Sequence, residues 1–476
     1  MTHISGDSRY QTEMFAPSLD ELVRGDHPVR VIDAFVDSLD LLALGFSKVA
    51  TDVMGRPRYH PSDLLKLYIY GYQHQMRSSR RLESEAERNL EVLWLIRRLS
   101  PSFKTIADFR RDHAKAIVGV CRSFVQFCRG QSLYGGEVVA VDGTKIEAVA
   151  SRKRVITPKS LERQAAALDT KITEYLAAMD TADQQAAAPE PQPADVAKAL
   201  QALQAQRDAV TRKASEMAAA GLSQEVEGED EARLMRTAHH GYQVAYNAQT
   251  AVDAKHGLIA AFELTSDGND QCQLYPMAQL ACQELAVDAV TVVADTGYSS
   301  GEQGKLCAEA GITAIVPRPE TVNPKGQKYF SRDAFQYDKA SDTWQCPAGE
   351  TLTCREVSQT EQKKKYWSMA CAECPMKARC TAAEKRIIVR SFFEDDREAM
   401  HQRAKSDPRW MAIRRQTVEH PFGIMKWLMG RARFLVRGIE KAKAELALAV
   451  LGFNMKRAIT IIGVPTLLQR LTEAAA

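Results

Sequence analysis

Val138-Val139-Ala140-Val141-Asp142-Gly143 and Val290-Thr291-Val292-Val293-Ala294-Asp295-Thr296-Gly297 each run a short apolar stretch into an aspartate. Strands apolar on both faces belong in a covered sheet. An ionised carboxylate there is costly unless a cation or a proton meets it. An acid at the end of each of two such strands therefore points to one shared site and to metal or catalytic duty.

A third acid comes from a helical stretch, Ile413-Arg414-Arg415-Gln416-Thr417-Val418-Glu419-His420-Pro421-Phe422-Gly423-Ile424-Met425-Lys426. Three carboxylates from distant parts of the chain suit two hard Mg2+ ions, which take oxygen ligands and keep positions open for phosphate. Three residues separate Arg415 from Glu419 and six separate Glu419 from Lys426, so the three can share one helix face. Pro421 leaves two options, a helix beginning just before it or a continuous helix kinked by it.

With these residues in place, the chain resembles the DDE transposases of bacterial insertion sequences. The resemblance is carried by VDGTKIEA around Asp142, GYQVAYNAQTAVDAKHGLI at 241–259, ADTGYSSGE around Asp295 and VEHPFGIMKW around Glu419. It extends to GRPRYHPSDLLKLYIYGY and PSFKTIADFRRDH near the amino terminus. The resemblance implies an RNase H-like core in which Asp142, Asp295 and Glu419 hold two Mg2+ or Mn2+ ions for DNA cleavage and strand transfer. It also implies recognition of terminal inverted repeats by the amino-terminal helices, capture of target DNA, and a dimer or larger assembly on DNA. Arg415, Glu419 and Lys426 match the spacing of the Tyr-Arg-Glu-Lys signature of related transposases, but Ala412 stands at the tyrosine position. No role for that tyrosine carries over.

The expected architecture is α/β, an RNase H-like mixed sheet flanked by helices and interrupted twice. Residues 1–133 read as an all-helical DNA-end-binding domain. Asp26-His27-Pro28 suggests one helix start, Ser62 a cap for a second helix, and Ser79 the start of a basic helix through Leu95 in helix-turn-helix fashion. Arg80 and Arg81 are its candidate DNA contacts. Residues 134–150 supply the first core strand, and 151–236, rich in Ala, Gln and acids with a proline break at 189–193, a helical hairpin. Residues 237–319 continue the core through an antiparallel pair, 242–253 and 258–265, a helix near 300–310 and a strand at 312–316. Residues 320–398 form a small Cys-rich insertion, and 399–476 the glutamate helix and terminal helices.

That insertion holds five of the ten cysteines. Cys371 and Cys374 have the two-residue spacing that lets both thiolates reach one ion, and Cys346-Pro347 resembles a zinc-knuckle turn. Cys346, Cys371, Cys374 and Cys380 are the candidate Zn2+ ligands, against a plain set of reduced thiols.

A length of 476 residues exceeds one ordinary domain, and 45% hydrophobic content supports a sizeable core. The first residues lack a basic start and apolar run, and no stretch is long enough to span a bilayer, so the expected compartment is the cytoplasm, with the nucleoid. The net charge of +3 averages unlike regions: 401–460 holds thirteen Lys and Arg against four acids, whereas 161–235 holds seven against fourteen. A basic region around Glu419 favours contact with a DNA backbone over a merely solvated face. Competing readings are an RNase H-like nuclease that does not join strands, a non-catalytic repressor derived from a transposase, and a zinc hydrolase, which the closed Cys set disfavours.

Overall fold

The computed structural model describes residues 17–47, 58–184, 193–237, 241–319, 329–430 and 432–475. The amino-terminal residues Met1–Asp7, the stretch 55–57 of the first amino-terminal motif and the break at 189–192 lie outside them.

Six helices come first: α1 (Val29–Asp37), α2 (Pro61–Gln73), α3 (Ser79–Arg88), α4 (Leu90–Leu95), α5 (Phe103–Asp112) and α6 (Ala114–Gly130). Pro28 caps α1, as the Asp-His-Pro reading anticipates. The α2 cap is His60 rather than Ser62: His60 is extended, and its ring nitrogen accepts the Ser62 N–H while Pro61 needs no partner. The helix expected through Leu95 is two helices. Asn89 leaves the helical conformation and its side chain accepts the N–H groups of Glu91 and Val92, ending α3 and capping α4.

The central sheet uses β1 (Val138–Glu147), β4 (Arg233–Thr237), β5 (Gly241–Asp253), β6 (Ile259–Thr265), β7 (Thr291–Val293) and β8 (Thr313–Ile315). Its order is β4-β5-β1-β7-β8, with β6 also on β5. β4 pairs with the first half of β5 and β6 with the second, so both lie on the edge of β5 away from β1. β1, β5 and β6 run antiparallel, while β7 and β8 add parallel to β1. Val244 through Asp253 is buried without interruption, the mark of a strand covered on both faces. The covers include α9 (Leu274–Leu285) and α10 (Gly301–Glu309).

Between β1 and β4, a two-residue pairing of β2 (Val155–Ile156) with β3 (Glu225–Val226) closes the base of a hairpin of α7 (Pro158–Gln184) and α8 (Pro193–Ala219). After β8 comes a separate antiparallel sheet, in the order β13-β12-β11-β10-β9, from β9 (Gln336–Asp338), β10 (Thr343–Gln345), β11 (Thr351–Ser358), β12 (Lys363–Trp367) and β13 (Ile388–Ser391), with the short α11 (Lys377–Cys380) beside it. Its own small core is Phe335, Trp344, Leu352, Tyr366 and Ile388.

The chain ends in α12 (Glu394–Ser406), α13 (Arg409–Leu428), α14 (Ile439–Ile462) and α15 (Val464–Ala475). α14 is buried almost all round and packs on α2, α6 and β6, so the amino-terminal helices and the central sheet share one hydrophobic core. No single helix among the described residues is long and apolar enough to cross a membrane.

Candidate active site

The register of β1 against β7 fixes the two aspartates. Ala140 pairs with Val293, and Asp142 and Asp295 each follow two residues beyond that pair. Both therefore stand where the parallel strands open, but only Asp295 follows the end of its strand: β1 runs on through Asp142 to Glu147, held by its pairing with β5, so the expectation of a strand-end acid fails there. Asp142 is 18% exposed and Asp295 45%. One nitrogen of Arg414 joins them: its Nη2 lies 2.8 Å from Asp142 Oδ2 and 3.2 Å from Asp295 Oδ2. The other oxygens take backbone donors. Gly143 N–H donates to Asp142 Oδ1 at 2.8 Å, and Gly297 N–H to Asp295 Oδ1 at 2.8 Å, capping the turn Thr296–Tyr298. Burial pushes the Asp142 carboxyl up to about 6, Arg414 opposes that rise, and Asp295 adds to it.

α13 runs unbroken from Arg409 to Leu428 with Pro421 inside it, which settles the alternative the sequence left open. The face formed by Val418, Pro421, Phe422, Met425 and Leu428 is buried, and Arg414 lies at its leading end, four residues before Val418. At about 100° per residue, Arg415, Glu419 and Lys426 sit roughly 100°, 140° and 120° around the helix from Arg414. All three are exposed on that flank. Among the described residues, Arg415 hydrogen-bonds along its own helix, Nε to the Met411 carbonyl at 3.4 Å. Among the described residues, Glu419 is not joined to either aspartate.

The residue that meets the acid pair is thus Arg414, which the signature spacing passes over in favour of its neighbour. A signal was present. Arg414, Val418, Pro421 and Met425 recur at four, three and four residues, the period of a buried stripe.

A family model for a transposase domain matches residues 17–112, and one for a transposase DDE domain matches residues 345–459. The two matches, in this order along the chain, support a DDE transposase of an insertion sequence. No curated protein and no solved structure matches it. The second match takes in Arg414, Arg415, Glu419 and Lys426, whereas Asp142 and Asp295 lie outside both segments.

In the first matched segment of the transposase, Arg80 and Arg81 are exposed on α3, and the Arg80 guanidinium lies over the Phe103 ring, 5.0 Å from its centre. Arg77, part of the same basic run, is instead buried and paired with Glu445 of α14. The basic residues around Glu419 divide in the same way. Arg403 donates to the Ala314 carbonyl, Arg433 to Val149, Lys456 to Gln73 and Arg457 to His256, whereas Arg415 and Lys426 face outward.

All ten cysteines of the transposase are unpaired thiols. Cys346, Cys371, Cys374 and Cys380 line one cavity of about 30 Å3 beside the small sheet, together with Phe330, Phe335 and Leu352. Cys354 is not in that wall; its thiol turns to the Glu356 carbonyl at 3.7 Å. Burial pushes the Cys380 thiol up, Arg386 opposes this, and the nearby Cys371, Cys346 and Cys374 add to it. Among the described residues, no three Asp, Glu, His or Cys side chains stand in an arrangement that could hold a metal ion as placed.

Proposed function

We propose that this transposase cleaves the ends of its element and joins them to target DNA, with Asp142, Asp295 and Glu419 holding two Mg2+ or Mn2+ ions on an RNase H-like core. The observation that carries the reading is the Asp142–Arg414–Asp295 contact, in which an oxygen from within β1, beyond its pairing with β7, and one from just after β7 gather around one positive charge. The fit to divalent ions rests on that oxygen donor set, with the Arg414 guanidinium as the stand-in cation. When bound, such ions activate a water or a 3′-hydroxyl and stabilise the leaving oxygen of an in-line displacement. The strand order β6-β5-β1-β7-β8, three antiparallel and two parallel, is the support for an RNase H-like core.

The chain's own residues then have distinct tasks. Gly143 and Gly297 N–H groups hold one oxygen of each aspartate and leave the other pointing to the shared site. Arg414 neutralises the pair as it stands and would have to give up these contacts to a bound ion. Glu419, on the exposed flank of the same helix, would supply the third carboxylate. Arg415 and Lys426 on that flank hold DNA phosphates, and Arg80 and Arg81 on α3 contact the terminal inverted repeats. Two ends must be joined, so the active form is a dimer or larger on DNA.

The test is incubation with DNA carrying the element's ends and Mg2+, with cut and joined products mapped. Asp142→Asn, Asp295→Asn and Glu419→Gln should each abolish cleavage while end binding persists. Full cleavage by any of them removes that residue from the site, and cleavage without joining of a precleaved end marks a nuclease. Arg80→Ala with Arg81→Ala should weaken end binding; unchanged binding moves recognition elsewhere.

The small sheet carries a structural Zn2+ in this reading. Four thiols on one wall supply a soft, closed donor set, and a core of five residues is small for a free-standing sheet. Binding has to draw the sulfurs inward. Elemental analysis should find about one zinc per chain, lost in Cys371→Ser with Cys374→Ser; a zinc-free, normally folded chain rejects it.

A further inference from the structure

Beneath the acid pair lies a buried polar group that the reaction as described does not use. In the pairing of β1 with β5, Gly143 stands opposite Gln249 and Lys145 opposite Asn247, so these four residues share the sheet face opposite to that of Asp142. The loop between β6 and α9 lays Asp270 against them. Asn247 Nδ2 and Gln249 Nε2 each donate to Asp270 Oδ1 at 2.7 Å, and Lys145 Nζ lies 3.1 Å from the same oxygen. Gln249 Nε2 also reaches Asn247 Oδ1 at 3.0 Å, while Gln249 Oε1 accepts the hydroxyl of Tyr298. Asn247 and Gln249 are fully buried and Tyr298 is 1% exposed.

The connections are specific in the chain. Tyr298 ends the turn that Asp295 caps, three residues after it, and Lys145 follows Asp142 by three. The path Tyr298–Gln249–Asp270–Lys145 therefore links the turn of one acid to the strand of the other. Of the nearby glycines, Gly143 is the one that the close approach of Gln249 and Asp270 requires. A Cβ on Gly143 would stand 2.4 Å from Gln249 Nε2 and 2.9 Å from Asp270 Oδ1, and one on Gly297 would stand 2.9 Å from Asp295 Oδ1 and 3.8 Å from Asp270 Oδ2. Apolar side chains of similar volume would fill such a site at no loss of stability, whereas a fully bonded polar network fixes one geometry.

We propose that Asp270, with Gln249 and Tyr298, is a positioning network that sets the separation of Asp142 and Asp295 for divalent-cation binding. This rests on the proposed assignment of those two aspartates as ligands. Outer residues that orient ligands without touching the ion typically change metal affinity by about 10–100-fold when removed. These residues act through the backbone, so the low end of that range is expected.

The experiment is Mn2+ binding to the full chain without DNA, by titration calorimetry and electron paramagnetic resonance, on wild type, Asp270→Asn, Tyr298→Phe and Asp142→Asn. Melting temperature and affinity for end DNA are measured alongside. Asp270→Asn and Tyr298→Phe should each weaken Mn2+ binding by roughly tenfold with end-DNA affinity retained, and excess Mn2+ should restore cleavage. Tyr298→Phe removes a single hydroxyl, so it remains informative if Asp270→Asn folds poorly. Wild-type Mn2+ affinity in a folded Tyr298→Phe or Asp270→Asn chain, with only the melting temperature lowered, would make the network structural and overturn the proposal. Mn2+ binding unchanged by Asp142→Asn would instead overturn the assignment of the acid pair, a different failure.

Discussion

Asp142 is held in a place that costs stability. Its carboxyl titrates in the folded chain near 6, above the ordinary 3.8, because burial outweighs the Arg414 contact. A raised acid contributes its stability below the unfolded value and loses it as pH climbs through the folded one. The metal-free chain should therefore lose on the order of 2–3 kcal/mol between pH 4 and pH 7 from this group alone, at about 1.4 kcal/mol per unit. Asp142→Asn should remove that loss. Urea unfolding with chelator present is expected to show the variant more stable at pH 7, with the gap closing toward pH 4; a gap independent of pH would contradict it. Lys426 is a second residue-scale case. It is exposed beside Glu419 with no ion pair among the described residues, so Lys426→Ala should flatten the slope of log affinity for DNA against log salt by about one unit. Salt titrations without divalent metal measure it, with Glu419→Gln as the comparison that should not flatten.

At the scale of elements, α13 shows how one helix serves two surfaces. Its buried stripe seats it on the sheet and delivers Arg414 to the acid pair, while the flank with Arg415, Glu419 and Lys426 stays open to solvent. The α7–α8 hairpin is the opposite kind of element. Among the described residues none belongs to the main core, its buried apolar side chains Leu161 and Met217 lying outside that cluster, and β2 with β3 brings its two ends together. Replacing residues 158–219 by a short Gly-Ser turn should then leave the fold intact, with a melting temperature within about 3 °C of the parent, since little apolar burial is lost. A calorimetric scan decides; collapse of the transition would show that the hairpin carries part of the core.

Across the whole molecule, Glu445 is the tie between the first and last parts of the chain. It is fully buried on α14 and meets Tyr72 Oη at 2.8 Å, Arg77 at 3.3 Å, Arg110 at 3.7 Å and the Leu435 N–H at 2.8 Å. Removing it strands two buried guanidinium groups. Glu445→Ala should cost on the order of 3–5 kcal/mol, the usual loss when one partner of a buried ion cluster is deleted. Denaturant unfolding followed by tryptophan fluorescence tests this, and a change below about 1 kcal/mol would mean that water or rearrangement relieves the arginines.

Several features were legible in the residues themselves because they depend on local pattern. Apolar runs ending at Asp142 and Asp295 specified buried strands, alternation around a four-residue connection specified the β5–β6 pair, and Ala-rich acidic stretches specified the hairpin. The recurrence of the buried stripe specified α13 as a helix, but its phase, and so the choice of Arg414 over Arg415 at the acids, depended on how the helix lies on the sheet. Nothing within the stretch around Asp270 shows that Lys145, Asn247 and Gln249 will meet it. Nothing near Arg77 in the chain shows that Glu445, 368 residues away, will be folded against it. The sequence alone determined the elements and the two acids that follow their apolar runs, for period and polarity are properties of neighbouring residues, while the pairing with β5 carried β1 on past Asp142 to Glu147. Only the tertiary structure decided which charges meet, because partners far apart in the chain are chosen by packing and by the cost of burying a charge alone.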